Sequence, residues 1–274
     1  MSRHGKFLAG VVGPYCGNVV LRKTQYRLSE SEEECTKIAK NIIFGKLFNS
    51  RWVIERATRD YSNSLDVEKL KNVSLQIKNS MESISDCVDT ASLRGVEGEA
   101  ATRYFSVFDD LILRQKDDFF FRERNRRPPT DAVNAMLSFS YTMLTSMVTS
   151  ALYCVGLDPF VGYLHKDRPG RASLALDMIE ELRSVFADRF VLTMINRKSV
   201  NKADFITKEN GAVMFTDDGK KKFLQSWQNK KLTEIKHPYL EEKVQWGMVP
   251  YVQALLLARY LRGDIDGYPP FLWK

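Results

Sequence analysis

The sequence is poor in the residues that build zinc sites and disulfide frameworks. It holds four cysteines and three histidines among 274 residues. The cysteines lie far apart and form no C-x-x-C pair, which argues against a zinc ribbon and a disulfide-stabilised secreted domain. We expect reduced, mostly buried thiols in a cytoplasmic protein.

Other common signatures are also absent. The sequence has neither the G-x-x-x-x-G-K-[ST] loop of triphosphate-binding proteins nor the G-x-S-x-G nucleophile elbow of serine hydrolases. The opening run MSRHGKFLAG lacks the apolar core and cleavage site of a secretory signal. We therefore expect neither class of chemistry and no secretory signal.

The composition supports a folded core and favours an anionic partner. Hydrophobic residues make up 44% of the chain and aromatic residues 11%, which is ample for a packed interior. The net charge of +7 is compatible with binding nucleic acid, because lysines and arginines that neutralise phosphates release counterions. Many basic proteins bind nothing of the kind, so the charge is only suggestive.

One uncharged stretch, from Ala132 to Leu157, is long enough to cross a bilayer. Its many hydroxyl and amide side chains are unsuited to lipid contact. We predict a central helix buried by other helices and no membrane segment.

The sequence pattern predicts a short β segment followed by a mainly α body. KFLAGVVG and GNVVLRKTQY are β-branched runs separated by Gly13, Pro14 and Gly17, as expected for two strands joined by a turn. From Ser29 onward apolar residues recur at helical spacing, after a Ser-x-x-Glu capping signal. Helices are predicted at about 29–57, 66–81, 94–113, 130–156, 171–190, 215–227 and 239–262, with Thr130 as a candidate N-cap and a small hairpin at 204–215.

Two glutamates in LRGVEGEAATRYFSVFDDLIL have opposite environments on a helical projection. Glu97 falls near the middle of a wide apolar face, and Glu99 falls on the far side. A carboxylate in an apolar stripe needs a cation, an arginine or a raised pKa. The alternative is that Glu97 stays solvated in a frayed first turn between Gly95 and Gly98.

A second group lies in GYLHKDRPGRASLALDMIEEL. His165 occupies a loop, and Asp177 and Glu180 follow three residues apart on the next helix. Each alone is more often a surface residue than a ligand. Together with Glu97 they form a set of hard oxygens and one imidazole that suits Mg²⁺ or Mn²⁺ better than zinc.

The run RQKDDFFFRERNRRPP combines basic residues with three consecutive phenylalanines. Such a loop would suit the grip of a phosphate backbone, although phenylalanines more often bury themselves. The candidate DNA-binding residues are Arg122, Arg124, Arg126 and Arg127.

Four stretches together resemble the CRISPR spacer-acquisition nuclease-integrases, the Cas-one family, with the I-C subtype as a softer suggestion. They are GNVVLRKTQYR, LRGVEGEAATRYF, RPPTDAVNAMLSF and LHKDRPGRASLALDMIEELR. The last three are similar to the family's most recognisable blocks and occur in the right order. The resemblance covers essentially the whole chain.

The resemblance implies a mainly α fold, with a helical catalytic domain at residues 29–274 preceded at 1–28 by the remnant of an N-terminal β domain. By motif, Glu97, His165 and Glu180 match the ligands of a Mg²⁺ or Mn²⁺ site. Asp177 matches a further acidic residue, beside those ligands or on a second ion. Family members often have Asp where Glu180 stands, so whether Glu180 or its neighbour Glu181 is the ligand stays open.

The implied activity is that of a metal-dependent DNA endonuclease and integrase in the bacterial cytoplasm. As a homodimer in complex with the small Cas-two protein, it would join the 3′-hydroxyl ends of captured DNA to the CRISPR repeat by transesterification. Arg168, Arg171 and Arg183 are further candidates for phosphate contacts. The family usually has a longer N-terminal region that mediates dimerisation, and this chain is expected to start within its last strands.

Two other functions fit the same residues. One is a DNA-binding structural subunit without activity, whose binding would respond mainly to salt. The other is a structure-specific DNA repair nuclease with the same site and a different substrate.

Overall fold

The structure is a computed structural model that describes residues 18–274. Within that range the protein is predominantly helical, which confirms the prediction of a mainly α fold. Its α-helices are α1 (Val19–Ser29), α2 (Glu32–Asp60), α3 (Val67–Glu82), α4 (Thr90–Ser106), α5 (Ala132–Val155), α6 (Ser173–Leu182), α7 (Arg189–Asn196), α8 (Asp217–Leu232) and α9 (Val249–Arg262).

The long helices begin where side chains can cap them. The Ser31 hydroxyl accepts a hydrogen bond from the main-chain N–H of Glu34 at the start of α2. Asp89 and Ser92 form a reciprocal capping box at the start of α4. Asp131 caps α5 by accepting from the N–H of Asn134, so the predicted cap at Thr130 is wrong by one residue.

The first described element corrects the predicted strand at GNVVLRKTQY. Residues Val19–Ser29 form α1, and the predicted domain boundary at residue 28 falls inside it. Leu21 and Gln25, one helical turn apart, are the buried residues of α1, which packs against α2 and α9. Tertiary packing therefore overrides the β preference of the two valines. The other predicted strand, KFLAGVVG, lies outside the described residues.

The core is organised around α2 and α5. Helix α2 packs against α3, α4 and α6, while α5 packs against α6 and α9. The uncharged stretch predicted as a central helix is α5, most of whose apolar side chains are buried. In residues 18–274 no helix is long and apolar enough to cross a membrane.

The C-terminal half is more broken than predicted. The expected helix at 171–190 consists of α6, a six-residue π-helical turn (Arg183–Asp188) and α7. The predicted hairpin is confirmed as β1 (Phe205–Thr207) paired antiparallel with β2 (Val213–Phe215). A second hairpin, β3 (Glu234–Lys236) with β4 (Lys243–Gln245), occupies the start of the predicted last helix, which begins only at Val249.

Candidate active site

Glu97 lies in the middle of α4 and not in a frayed first turn. The helix starts at Thr90, two turns before Glu97. The Glu97 side chain is 25% exposed, whereas the Glu99 side chain is 59% exposed and pairs with Arg103 one turn away. The helical projection therefore assigned the two glutamates to the correct faces.

A lysine of α2 connects two of the predicted site residues. Lys46 Nζ contacts Glu97 Oε1 and lies 2.6 Å from Glu180 Oε2, so carboxylates from α4 and α6 converge on one ammonium group. The Lys46 side chain is only 10% exposed. Sequence reasoning missed this residue, although a lysine inside the apolar run IIFGKLF was a signal that it has a buried partner.

Positive charge keeps Glu180 ionised in a buried place. Burial alone would raise the pKa of Glu180, but the charges of Arg183 and Lys46 outweigh it and hold that pKa to about 2. Arg183 Nη2 lies 3.0 Å from Glu180 Oε1. The other oxygen, Oε2, is buried and accepts no well-directed hydrogen bond from the described residues, although Lys46 is close to it.

Asp177 fixes the loop that carries His165. Its two carboxylate oxygens accept the main-chain N–H groups of Tyr163, Leu164 and His165 at 2.7 to 2.9 Å. Asp177 Oδ1 also lies 2.6 Å from His165 Nδ1, which leaves Nε2 as the ring nitrogen available to a ligand. Asp177 therefore orients the histidine.

Two further features fix the position of the same loop. Arg94 of α4 donates to the carbonyl oxygen of Leu164 at 3.1 Å, which ties the loop to the helix that bears Glu97. Gly162 allows the close approach, since a Cβ there would lie 2.9 Å from Asp177 Oδ2. The imidazole of His165 is close enough for its charge to contribute to the lowered pKa of Glu180.

The predicted ligand set is thus assembled in part. Glu97 and Glu180 meet at Lys46, with His165 beside them, but residues 18–274 contain no group of three His, Cys, Asp or Glu side chains arranged to hold a metal ion. The donor chemistry nevertheless fits a hard divalent cation: two carboxylates that share one ammonium group, and a histidine oriented by a carboxylate. Such an ion would replace the ammonium group between the two glutamates.

Glu181 faces the opposite side of α6. Tyr268 Oη and Gln253 Nε2 donate to its Oε1 at 2.5 and 3.0 Å, and the N–H of Phe271 donates to Oε2 at 2.8 Å. Burial raises the pKa of Glu181 to about 7, against the effect of these donors. Of the two, Glu180 is the one whose carboxylate meets Glu97 at Lys46, and its role as a ligand stays a prediction.

Comparison with known proteins assigns the family. Residues 1–229 match the profile of CRISPR associated protein Cas1. The chain belongs to the Cas1 family. It is 46% identical to a protein of Chlorobaculum tepidum named CRISPR-associated endonuclease Cas1 1, over 100% of this chain and 80% of that protein. A Cas1 endonuclease of Leptospira interrogans is 44% identical over 93% of this chain and 100% of its own length.

Solved structures share the Cas1 fold. A casposase bound to its integration product superposes with a TM-score of 0.82 at 25% identity, covering 99% of this chain and 77% of that one. A Cas1 protein from Thermotoga maritima gives a TM-score of 0.76 at 24% identity, over 95% and 77% of the two chains. A Cas6-RT-Cas1–Cas2 complex gives 0.80 at 22% identity, over 99% of this chain and 29% of that one.

The predicted DNA-binding arginines of this Cas1 chain divide into two groups. Arg122, Arg126, Arg127 and Arg168 are exposed, and Arg171 is half-buried. Arg126 lines a small pocket of about 50 Å³ together with Glu97 and Lys46. These side chains are placed where a phosphate backbone could reach them.

Arg124 and Arg183 are used inside the fold. Arg124 donates to Asn134 Oδ1 at 2.6 Å and to Ser138 Oγ at 3.0 Å, and its guanidinium lies 5.3 Å from the ring of Tyr141. Helix α5 thus accepts from two of the guanidinium donors of Arg124, whose contact with phosphate stays a prediction. Arg183 pairs with Glu180, as described above.

Proposed function

We propose that this Cas1 chain is a metal-dependent DNA endonuclease and integrase of CRISPR adaptation, which joins 3′-hydroxyl ends of captured DNA to the CRISPR repeat by transesterification. The observation that carries the proposal is the convergence of Glu97 and Glu180 on Lys46 beside an Asp177-oriented His165. It is supported by relatives named as Cas1 endonucleases and by the likeness to a casposase bound to its integration product.

Glu97, His165 and Glu180 are the residues that would hold the ion, Mg²⁺ or Mn²⁺. When bound, such an ion polarises the attacked phosphodiester and favours the deprotonated form of a hydroxyl nucleophile. Asp177 accepts the Nδ1 proton of His165 and so directs the Nε2 lone pair outward. Arg183 holds Glu180 in its ionised, oriented state.

Two cationic side chains would serve the substrate. The Lys46 ammonium lies at the two carboxylates and would contact a phosphate bound beside them. Arg126 lines the adjoining pocket with Glu97 and is exposed, so it is suited to contact the phosphate that precedes or follows the reacting one. Both contribute charge that stabilises the extra negative charge of in-line displacement.

The assembly belongs to the same proposal. We expect DNA contacts from Arg122, Arg127, Arg168 and Arg171, which are exposed or half-buried. A homodimer and a Cas2-type partner are proposed as well. The partner is supported by the likeness to the Cas1-containing part of the Cas6-RT-Cas1–Cas2 complex, which shows the fold.

The first test is a titration of Mg²⁺ and Mn²⁺ in assays of branched-DNA cleavage and 3′-end joining. Glu97→Ala and His165→Ala should abolish both activities with little change in DNA affinity, because they remove ligands and leave the exposed arginines intact. Glu99→Ala is the matched control, since it removes the exposed glutamate of the same helix and should retain activity.

The outcomes separate the alternatives. Full activity in Glu97→Ala would remove that glutamate from the site. Cleavage without joining would favour a repair nuclease, and salt-sensitive DNA binding without either activity would favour a structural subunit.

A further inference from the structure

A second pocket, of about 200 Å³, lies between α2 and α7. A water molecule occupies about 30 Å³ in the liquid, so the pocket has room for a small oxyanion and its hydration. Its floor is apolar and is formed by Val53, Leu65, Leu111 and Leu192. Asn196 closes one end and is fixed there, because its side chain accepts from Leu113 N–H at 2.8 Å and donates to the carbonyl of Leu111 at 3.0 Å.

The charges around this pocket do not balance. Three guanidinium groups line it, those of Arg56, Arg189 and Arg197, against the single carboxylate of Asp60. Asp60 is already paired with Arg59 at 2.9 Å. Within residues 18–274 neither Arg189 nor Arg197 has a carboxylate within ion-pair distance.

Two of these arginines are held rigidly by one aromatic ring. The guanidinium carbons of Arg56 and Arg189 lie 3.8 and 4.3 Å from the ring centre of Trp273. Arg56 also donates to the main-chain oxygen of Lys274. Stacking immobilises a planar guanidinium while leaving its N–H edges free for paired hydrogen bonds to an oxyanion.

Burial and neighbouring positive charges lower the pKa values of two cationic groups around the pocket. Burial, followed by the charge of Arg56, lowers the pKa of Arg189 to about 10. Burial, followed by the charges of Arg189 and Arg197, lowers the pKa of the nearby Lys230 to about 8. An anion in the pocket would relieve this repulsion, because three guanidinium groups line it against one carboxylate.

We propose that the pocket between α2 and α7 binds a phosphate group, either inorganic or carried by a nucleic acid strand. None of its lining residues contacts Glu97, His165 or Glu180, so it is a site separate from the candidate active site. The proposal does not require that the chain cleaves or joins DNA.

The test measures pyrophosphate binding by calorimetry to the full chain, Arg197→Gln and Lys198→Gln. Arg197 lines the pocket, whereas its exposed neighbour Lys198 does not, so the two variants remove the same charge at adjacent positions. A hydrogen bond between charged groups contributes about 1.5–3 kcal/mol, so we expect Arg197→Gln to weaken binding about tenfold or more and Lys198→Gln to have little effect. Equal losses in both variants, or no binding to the native chain, would overturn the proposal.

A second variant tests whether pyrophosphate binding depends on this pocket or only on the total positive charge. Arg189→Gln should weaken pyrophosphate binding at least as much as Arg197→Gln, and its thermal unfolding in phosphate-free buffer reports whether it still folds. Arg126→Gln should bind pyrophosphate as the native chain does, which separates this pocket from the cations beside Glu97. Competition by a single-stranded oligonucleotide would assign the phosphate to nucleic acid, and lack of competition would assign it to a small anion.

Discussion

Glu180 and Glu181 are adjacent on α6, equally buried, and yet in opposite electrostatic environments. Glu180 faces Lys46 and Arg183, which hold its pKa to about 2. Glu181 faces neutral donors from Tyr268, Gln253 and the Phe271 main chain, and its pKa is raised to about 7. The turn of about 100° between successive helical residues separates a charged site from a neutral hydrogen-bond cluster.

The difference indicates a separate role for each of the two sides of α6. A carboxylate that cationic side chains keep ionised is suited to binding a metal ion beside a phosphodiester. A carboxyl surrounded by fixed neutral donors is suited to holding chain segments together, and Glu181 does this for the segment after α9. Burial alone would not distinguish the two residues.

The sharpest test of the comparison is the pair Glu180→Gln and Glu181→Gln, assayed for Mn²⁺-supported cleavage. Changing groups that only support a metal ligand costs about 10–100-fold, so loss of the proposed ligand Glu180 should cost about 100-fold or more. Glu181→Gln should stay close to native activity, because Glu181 does not face Lys46. Its one amide oxygen can replace either the acceptor of Tyr268 and Gln253 or that of the Phe271 N–H, so the variant is expected to lose stability and not cleavage. Equal losses would mean that the two sides of α6 are not functionally distinct.

The next test measures stability in place of activity. Glu181→Ala leaves the Tyr268 hydroxyl and the Phe271 N–H without their acceptor, and each unsatisfied buried group costs about 1–3 kcal/mol. We expect urea unfolding to show a loss of about 3 kcal/mol in the free energy of unfolding. Glu99→Ala is the control and should unfold like the native chain. A native-like midpoint for Glu181→Ala would contradict the stabilising role of Glu181 in holding the segment after α9.

The last test measures the pH dependence of stability. The pKa of Glu181 rises on folding from 4.5 to about 7, so the folded state binds more protons and its stability falls as pH rises through that window. The pKa of Glu180 falls on folding from 4.5 to about 2, so its contribution is present above pH 4.5 and is lost as pH falls towards 2.

Unfolding of native protein and Glu181→Gln between pH 4.5 and 7 isolates the first effect. Asp188, whose pKa burial raises to about 6, contributes a slope of the same sign to both proteins and cancels in the difference. A native slope no steeper than that of the glutamine variant would refute the raised pKa of Glu181.

The sequence predicted those features that depend on local periodicity. The helical projection put Glu97 on a buried face and Glu99 on an exposed one, and the hairpin around Asn210-Gly211 is present. It could not choose between Glu180 and Glu181, because the choice depends on Lys46, which is more than a hundred residues away along the chain. The metal, the DNA contacts and the partners stay predictions.

The errors have the same origin in tertiary contacts. Val19 and Val20 favour a strand locally, but α1 forms because Leu21 and Gln25 are buried against neighbouring helices. The partners of Arg124 were likewise not visible in the sequence, because Asn134 and Ser138 of α5 come near it only in the fold; its contact with phosphate stays a prediction. Neither outcome leaves a signal within a window of one helix.

The π-helical turn Arg183–Asp188 affects which one-residue deletions this part of the chain can accommodate. A π turn holds an extra residue relative to the α-helical repeat, so loss of a single codon within it would let α6 and α7 merge into one continuous helix. The residues after the turn would keep their helical phase relative to Glu180, because the lost residue is the one that the π turn accommodates. Loss of a residue from a regular α-helical stretch has no such outlet and would rotate the residues that follow by about 100°, so the position of the π turn decides where this helix can lose one residue.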